Sequence, residues 1–193
     1  MAQKKQNIAV IGLPQSGKSV LTKALQDLSD ELRQHFHFEE IHDLDALHGH
    51  AFDAVLQVVD STRLEESLMQ TPHIIDEQEK IVLAFAKYDL LLATDHSLNL
   101  PLLQDLIGVP VCLVSVRKAM GLEKCLDLLA DTAEKESSQA HPIYHLRDLN
   151  DEDAYKAYVH GVLTQTLRHA KDDKHQTRLE KIDKVLTNPW LGF

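Results

Sequence analysis

Eight residues near the start of this chain, Gly12-Leu13-Pro14-Gln15-Ser16-Gly17-Lys18-Ser19, fit the spacing G-x-x-x-x-G-K-[ST]. That spacing is a physical specification. Its glycines permit tight, positive-φ turns and the close backbone approach that a phosphate requires. Asn7 to Ile11 ahead of it reads as a buried strand, and Val20 to Leu25 behind it reads as a helix. A helix starting there turns unpaired N–H groups and the positive end of its dipole toward the loop. Lys18 has the reach for β- and γ-phosphates, and the Ser19 hydroxyl is the hard oxygen ligand that Mg²⁺ takes. Strand, loop and helix in register imply a nucleoside di- or triphosphate site. They also confine the chain to folds that alternate strands with helices.

The rest of the chain obeys that constraint. Residues 6–12 form the first strand and 17–30 the first helix. His35 to His42 alternates like a half-exposed strand and ends at Asp43-Leu44-Asp45-Ala46. Asp53 to Asp60 reads as a buried strand, and 63–78 as a helix that Pro72 restarts or kinks. Lys80 to Ala86 is the next strand, leading into Lys87-Tyr88-Asp89. A helix from Leu98 to Ile107 stops at Gly108, Val109 to Ser115 is the last strand, and Leu122 to Lys135 the helix after it. Near-continuous apolar strands alternating with helices predict an α/β fold: a mostly parallel sheet covered on both faces. Ligands of such sheets sit outside the carboxyl ends of the strands. Asp43, Asp89 and Ser115 fall just past strand ends and are expected to converge there.

At 193 residues, 44% of them hydrophobic and 26% charged, the chain has the size and composition of one globular core plus an appendage. A net charge of −10 argues against a nucleic-acid or anionic-membrane surface. Cys112 and Cys125 are too few for a disulfide framework and read as reduced core residues of a cytosolic protein. No apolar run approaches the roughly 20 residues that span a bilayer, and the N-terminus does not read as a signal peptide.

Polar residues from Glu134 to Asp151 place a boundary near 137, giving a nucleotide domain over 1–137 and a helical extension over 138–193. Glu152 to His169 reads as a helix with Ala154, Tyr155, Tyr158, Val162 and Leu163 on one side. A second amphipathic helix carries Leu179, Ile182, Val185 and Leu186 before the closing Asn188-Pro189-Trp190-Leu191-Gly192-Phe193. An amphipathic helix, a proline and an aromatic-apolar run read as the approach to a membrane span.

The phosphate loop, Asp53–Leu68, Ser115-Val116-Arg117-Lys118 and Arg178–Gly192 together resemble the N-terminal cytosolic region of FeoB, the bacterial ferrous iron transporter that fuses a G-protein domain to a membrane domain. The resemblance covers most of 5–135 and resumes at about 152–193. It implies a P-loop, small-GTPase-like domain that binds GDP or GTP with Mg²⁺ at the cytoplasmic face of the inner membrane. The membrane domain of the same polypeptide would be its partner, and Phe193 an engineered end. Gly12, Leu13, Pro14, Gln15, Ser16, Gly17, Lys18, Ser19 and Val20 then hold the phosphates. Ser19 and Asp43 hold Mg²⁺, with Asp43 in the place of the Asp-x-x-Gly aspartate. Lys87 covers the base and Asp89 accepts from guanine's ring N–H and amino group, as in Asn-x-x-Asp elements. Ser115, Val116 and Arg117 form the loop over the base.

Departures from that family shape the functional expectation. The base-recognition Asn is Ala86, which weakens a guanine preference; the glycine of Asp-x-x-Gly is Ala46. Leu13 and Gln15 stand where FeoB proteins usually carry Asn, so Leu13 offers the transition state no polar group. Too few residues separate Lys18 from Asp43 for a normal switch, and residues 26–42 contain no Thr, so the segment that would close on the γ-phosphate is deleted. Binding is therefore expected intact and hydrolysis feeble, since GTPases depend on a positioned water and on charge stabilisation at the γ-phosphoryl. Two alternatives stand beside this: a non-hydrolysing binding or oligomerisation module, and a standalone small P-loop protein such as a kinase or GTP-binding protein. The short extension leaves apolar faces that packing on the nucleotide domain, or a homodimer, would bury. His35, His37, His42, His48 and His50 cluster within sixteen positions but complete no recognised metal-ligand spacing, and they read as solvated.

Overall fold

The computed structural model describes residues 5–28, 35–47, 50–135 and 152–169. Five parallel strands form its centre: β1 (Gln6–Ile11), β2 (Phe36–Glu40), β3 (Ala54–Asp60), β4 (Ile81–Ala86) and β6 (Val111–Leu113), in the spatial order β2-β1-β3-β4-β6. The inner strands β3 and β4 are buried at every position, as a sheet covered on both faces demands. β2 lies at the edge, and its alternating exposure is that of a strand with one face on the core. Its register runs Gln6 against Phe36 to Val10 against Glu40, which sets Glu40 beside the start of the phosphate loop.

Side chains alternate across the sheet and so build a core on each face. Ile8, Val10, Leu56, Val58, Val82 and Ala84 meet Leu21 and Leu25 of α1 (Lys18–Asp27) and Cys125, Leu126 and Leu129 of α6 (Leu122–Glu134). Cys112 and Cys125 are free, buried thiols of this layer. On the other face Ala9, Ile11, Val55, Val59, Leu83 and Phe85 meet α2 (Leu64–Leu68), α3 (Thr71–Glu77) and α5 (Leu100–Ile107). Pro72 stands in the first turn of α3, where its missing N–H costs nothing, so the expected helix over 63–78 is two short ones.

Three short elements depart from the sequence reading. Tyr88–Ala93 forms a helix, α4; His96–Leu98 forms a strand, β5; and Leu167–His169 forms β7, so Val109–Ser115 is not the last strand. β5 and β7 pair antiparallel, from His96 opposite His169 to Leu98 opposite Leu167. Directly ahead of β7 in the chain runs α7 (Glu152–Thr166), which lays Tyr155, Val159 and Val162 into the same core layer as α2 and α5. Tyr158 donates its hydroxyl to the Leu106 carbonyl at 2.9 Å. The first helix of the extension thus buries its apolar face on the nucleotide domain. The second amphipathic helix and the closing Trp-Leu-Gly-Phe lie outside the described residues. Among the described residues no helix is long and apolar enough to cross a membrane.

Candidate nucleotide site

The loop joining β1 to α1 is shaped by what cannot fit in it. A Cβ on Gly12 would stand 2.4 Å from the Val58 carbonyl oxygen, a backbone atom with no room to retreat. Gly17, at φ 101°, is the N-cap of α1, and Gln15 holds a left-handed φ of 62°. The Ser16 side chain is wholly buried and its hydroxyl has no hydrogen-bond partner. An orphaned hydroxyl of this kind costs about 1–3 kcal/mol, which a ligand oxygen would offset.

Cations grip the loop from three sides. Lys18, 8% exposed, donates Nζ to the Gly12 carbonyl at 2.7 Å and to that of Leu13 at 3.1 Å. Burial lowers its pKa, and the charge of Glu40 opposes that shift. Arg63, on the turn after β3, donates Nη2 to the Pro14 carbonyl at 2.7 Å. Lys87 donates Nζ to the Gln15 carbonyl at 2.7 Å and, at the same distance, to Oδ2 of Asp60. Asp60 is 1% exposed, and its Oδ1 accepts from the Thr62 hydroxyl at 2.7 Å and the Thr62 N–H at 3.0 Å. Burial pushes the Asp60 carboxyl up, but the bonds from Lys87 and Thr62 outweigh it and hold it below the usual carboxylate value.

At the first turn of α1, Ser19 donates its hydroxyl to Oε2 of Glu40 at 2.7 Å. Asp43 is exposed, and its Oδ1 accepts from the Asp45 N–H at 3.2 Å in opening the 3-10 turn over 44–47. The carboxylate that meets Ser19 is therefore Glu40. A hydroxyl beside a carboxylate at a helix start is an oxygen donor set of the kind Mg²⁺ takes. Among the described residues no three His, Cys, Asp or Glu side chains group as a metal cage; His48 lies outside them.

The other end of the site is built by the strand ends of β4 and β6. Lys87, at φ 57°, caps α4 and turns the chain so that Asp89 stands in that helix's first turn. Ser115 donates its hydroxyl to Oδ1 of Asp89 at 2.6 Å, and Arg117 donates Nε to Oδ2 at 2.8 Å. The Ser115 bond is the main cause holding the Asp89 carboxyl below its ordinary value; burial opposes it and Arg117 adds to it. Between loop and carboxylate lies a cavity of about 340 Å³ walled by Val20, Leu21, Ala86, Leu90, Val114 and Val116, with Ser16 and Lys87 at its phosphate end. Val20 and Leu90 are 60% and 39% exposed, an apolar slot open to solvent. Such a slot suits a planar ring, with the Asp89 carboxylate to read its edge and the loop to hold an anion.

Of the residues singled out from sequence, Ser16, Gly17, Val20, Lys87, Asp89, Val116 and Arg117 line this one cavity, and Ser115 bonds to Asp89 at its wall. Asp43 bonds within its own turn, and Ser19 turns to Glu40 instead. Glu40, Asp60 and Arg63 were not singled out, because none carries a motif spacing. Asp60 ends an apolar strand, and a carboxylate there is the one signal that could have marked it.

The family described as Ferrous iron transport protein B matches residues 32–129 of this chain. No curated protein matches it. Among solved structures, a mutant of S. thermophilus NFeoB bound to mGDP shares 21% identity at a TM-score of 0.62, covering 70% of this chain and 65% of that one. A GDP-bound point mutant of the S. thermophilus FeoB G-domain shares 18% at 0.72, over 84% of this chain and 100% of the other. The cytosolic domain of the T. maritima FeoB iron transporter in its GMPPNP form shares 16% at 0.72, over 84% and 99%. At these identities the likeness is one of fold.

Proposed function

This chain belongs to the ferrous iron transport protein B family, and on that premise we propose that it is a guanine-nucleotide-binding cytosolic domain of a FeoB-like ferrous iron transporter. The membrane domain of the same polypeptide would receive its signal at the cytoplasmic face of the inner membrane. One observation carries the nucleotide reading: a single cavity with the phosphate loop at one end and the Ser115–Asp89 pair at the other. The relatives' GDP and GMPPNP forms support it.

In this reading the loop N–H groups and Lys18 hold the phosphates, Lys18 leaving the Gly12 and Leu13 carbonyls to do so. Asp89 accepts from the guanine edge once Arg117 shares or yields Oδ2, and the Ser115 hydroxyl keeps the carboxylate aimed. Ser19 would ligate Mg²⁺, with Glu40 or Asp43 as the carboxylate beside it; the ion would supply charge neutralisation between phosphates. Hydrolysis is slow, because residues 26–42 supply no Thr and Leu13 no polar group. The absent amide at Ala86 weakens guanine selectivity.

Calorimetry of the 193-residue chain with GDP, GMPPNP and ADP in Mg²⁺ buffer tests the proposal. Guanine nucleotides are expected to bind, ADP more weakly, and absence of guanine-nucleotide binding overturns it. Fast multiple-turnover phosphate release, lost in Lys18→Ala, would reject slow hydrolysis.

A further inference from the structure

We infer that Arg63 is a phosphate-contacting residue of this site, supplied from within the chain and selective for a nucleoside triphosphate over a diphosphate; this rests on the nucleotide reading above. The inference begins with what the loop lacks. Leu13 and Pro14 bring no polar side chain to the loop, and Pro14 has no backbone N–H to give. At that place stands Arg63, whose Nη2 donates to the Pro14 carbonyl across 49 residues of sequence.

Arg63 is held there. Its N–H donates to the Asp60 carbonyl at 2.9 Å, a tight turn directly past the carboxyl end of β3, where ligands of a parallel sheet collect. The carboxylates of Asp60 and Glu66 stand 3.6 Å from Nε and 3.5 Å from Nη1. Those separations orient the guanidinium by charge and are at or beyond the limit of a hydrogen bond. A guanidinium has five N–H donors, and the Pro14 carbonyl engages one nitrogen. The planar fork therefore keeps donors in hand, 38% of the side chain remains open to solvent, and its shape matches two phosphate oxygens. Lys87 also reaches the loop, but its Nζ is committed to buried Asp60 at 2.7 Å. The terminal phosphate is where a triphosphate differs from a diphosphate, and a guanidinium beside a transferring phosphoryl group stabilises its charge.

Calorimetry of the full chain with GMPPNP and with GDP, each with Mg²⁺, reads this directly. Arg63→Ala is expected to weaken GMPPNP by about tenfold or more, the worth of a charge-assisted bond, and GDP by less than about threefold. Arg63→Lys is expected to recover part of the GMPPNP loss, since it restores the charge without the fork. Equal losses for both ligands would make Arg63 a buttress of the loop and overturn the inference, as would no loss. Should Arg63→Ala not fold, Arg63→Gln decides, because it keeps a donor for Pro14 and removes the charge. If the unaltered chain binds neither nucleotide, the nucleotide reading itself has failed.

Discussion

Asp60 ties the two halves of the site together, since it holds Lys87, and Lys87 holds both the Gln15 carbonyl and the start of α4. Its carboxyl value is depressed on folding, so its contribution is complete above the ordinary carboxylate value of about 4 and disappears as pH falls through the lower folded-state value. Asp60→Asn is expected to lower stability by about 1–3 kcal/mol near neutral pH, by leaving the Lys87 cation without its partner. Denaturant titrations of both proteins should show that gap closing as pH falls and the carboxyl is protonated; a gap of the same size at neutral and at acid pH would refute the linkage. Ala86 is the second instructive residue. It is 5% exposed at the end of β4 and lines the cavity, so an amide there would add a hydrogen-bonding group to an apolar wall. Ala86→Asn is expected to raise the ratio of GDP to ADP affinity by roughly fivefold, about 1 kcal/mol, measured by competition.

At the scale of elements, legibility follows length. The strands β1, β3 and β4 are apolar over most of their six or seven residues, and the sequence states them plainly. α4 has six residues and β5 and β7 three each, too few to repeat a helical or a strand period often enough to tell the two apart, and they form because their neighbours position them. Lys87 caps α4 in a left-handed conformation that no residue-type preference announces for lysine. The site divides the same way. Ser16, Gly17, Asp89, Val116 and Arg117, which line the cavity, fall inside spacings that the sequence displays. Glu40, Asp60 and Arg63 act across strand boundaries, and their roles depend on which strands are neighbours. Glu40 reaches Ser19 only because β2 pairs directly with β1.

The whole molecule is a sheet with a core on each side, and α7 completes one of those cores. The boundary read from composition near residue 137 therefore cuts through packing. Tyr155, Val159 and Val162 are 8%, 2% and 3% exposed, and removing them uncovers the apolar faces of α2 and α5. A fragment over 1–137 is expected to melt several degrees below the full chain and to bind a hydrophobic dye, in keeping with losses of about 2–5 kcal/mol per large buried side chain. Equal melting temperatures would show the nucleotide domain to be self-sufficient.

The ladder between β5 and β7 also has a mechanical meaning. It consists of three residue pairs, from His96–His169 to Leu98–Leu167. Tension applied to the chain past His169 loads those pairs first, then β5, then α4, whose first turn carries the Asp89 carboxylate that lines the cavity. The molecule thus has a short, breakable linkage between a pull at one end of the fold and the rim of its cavity.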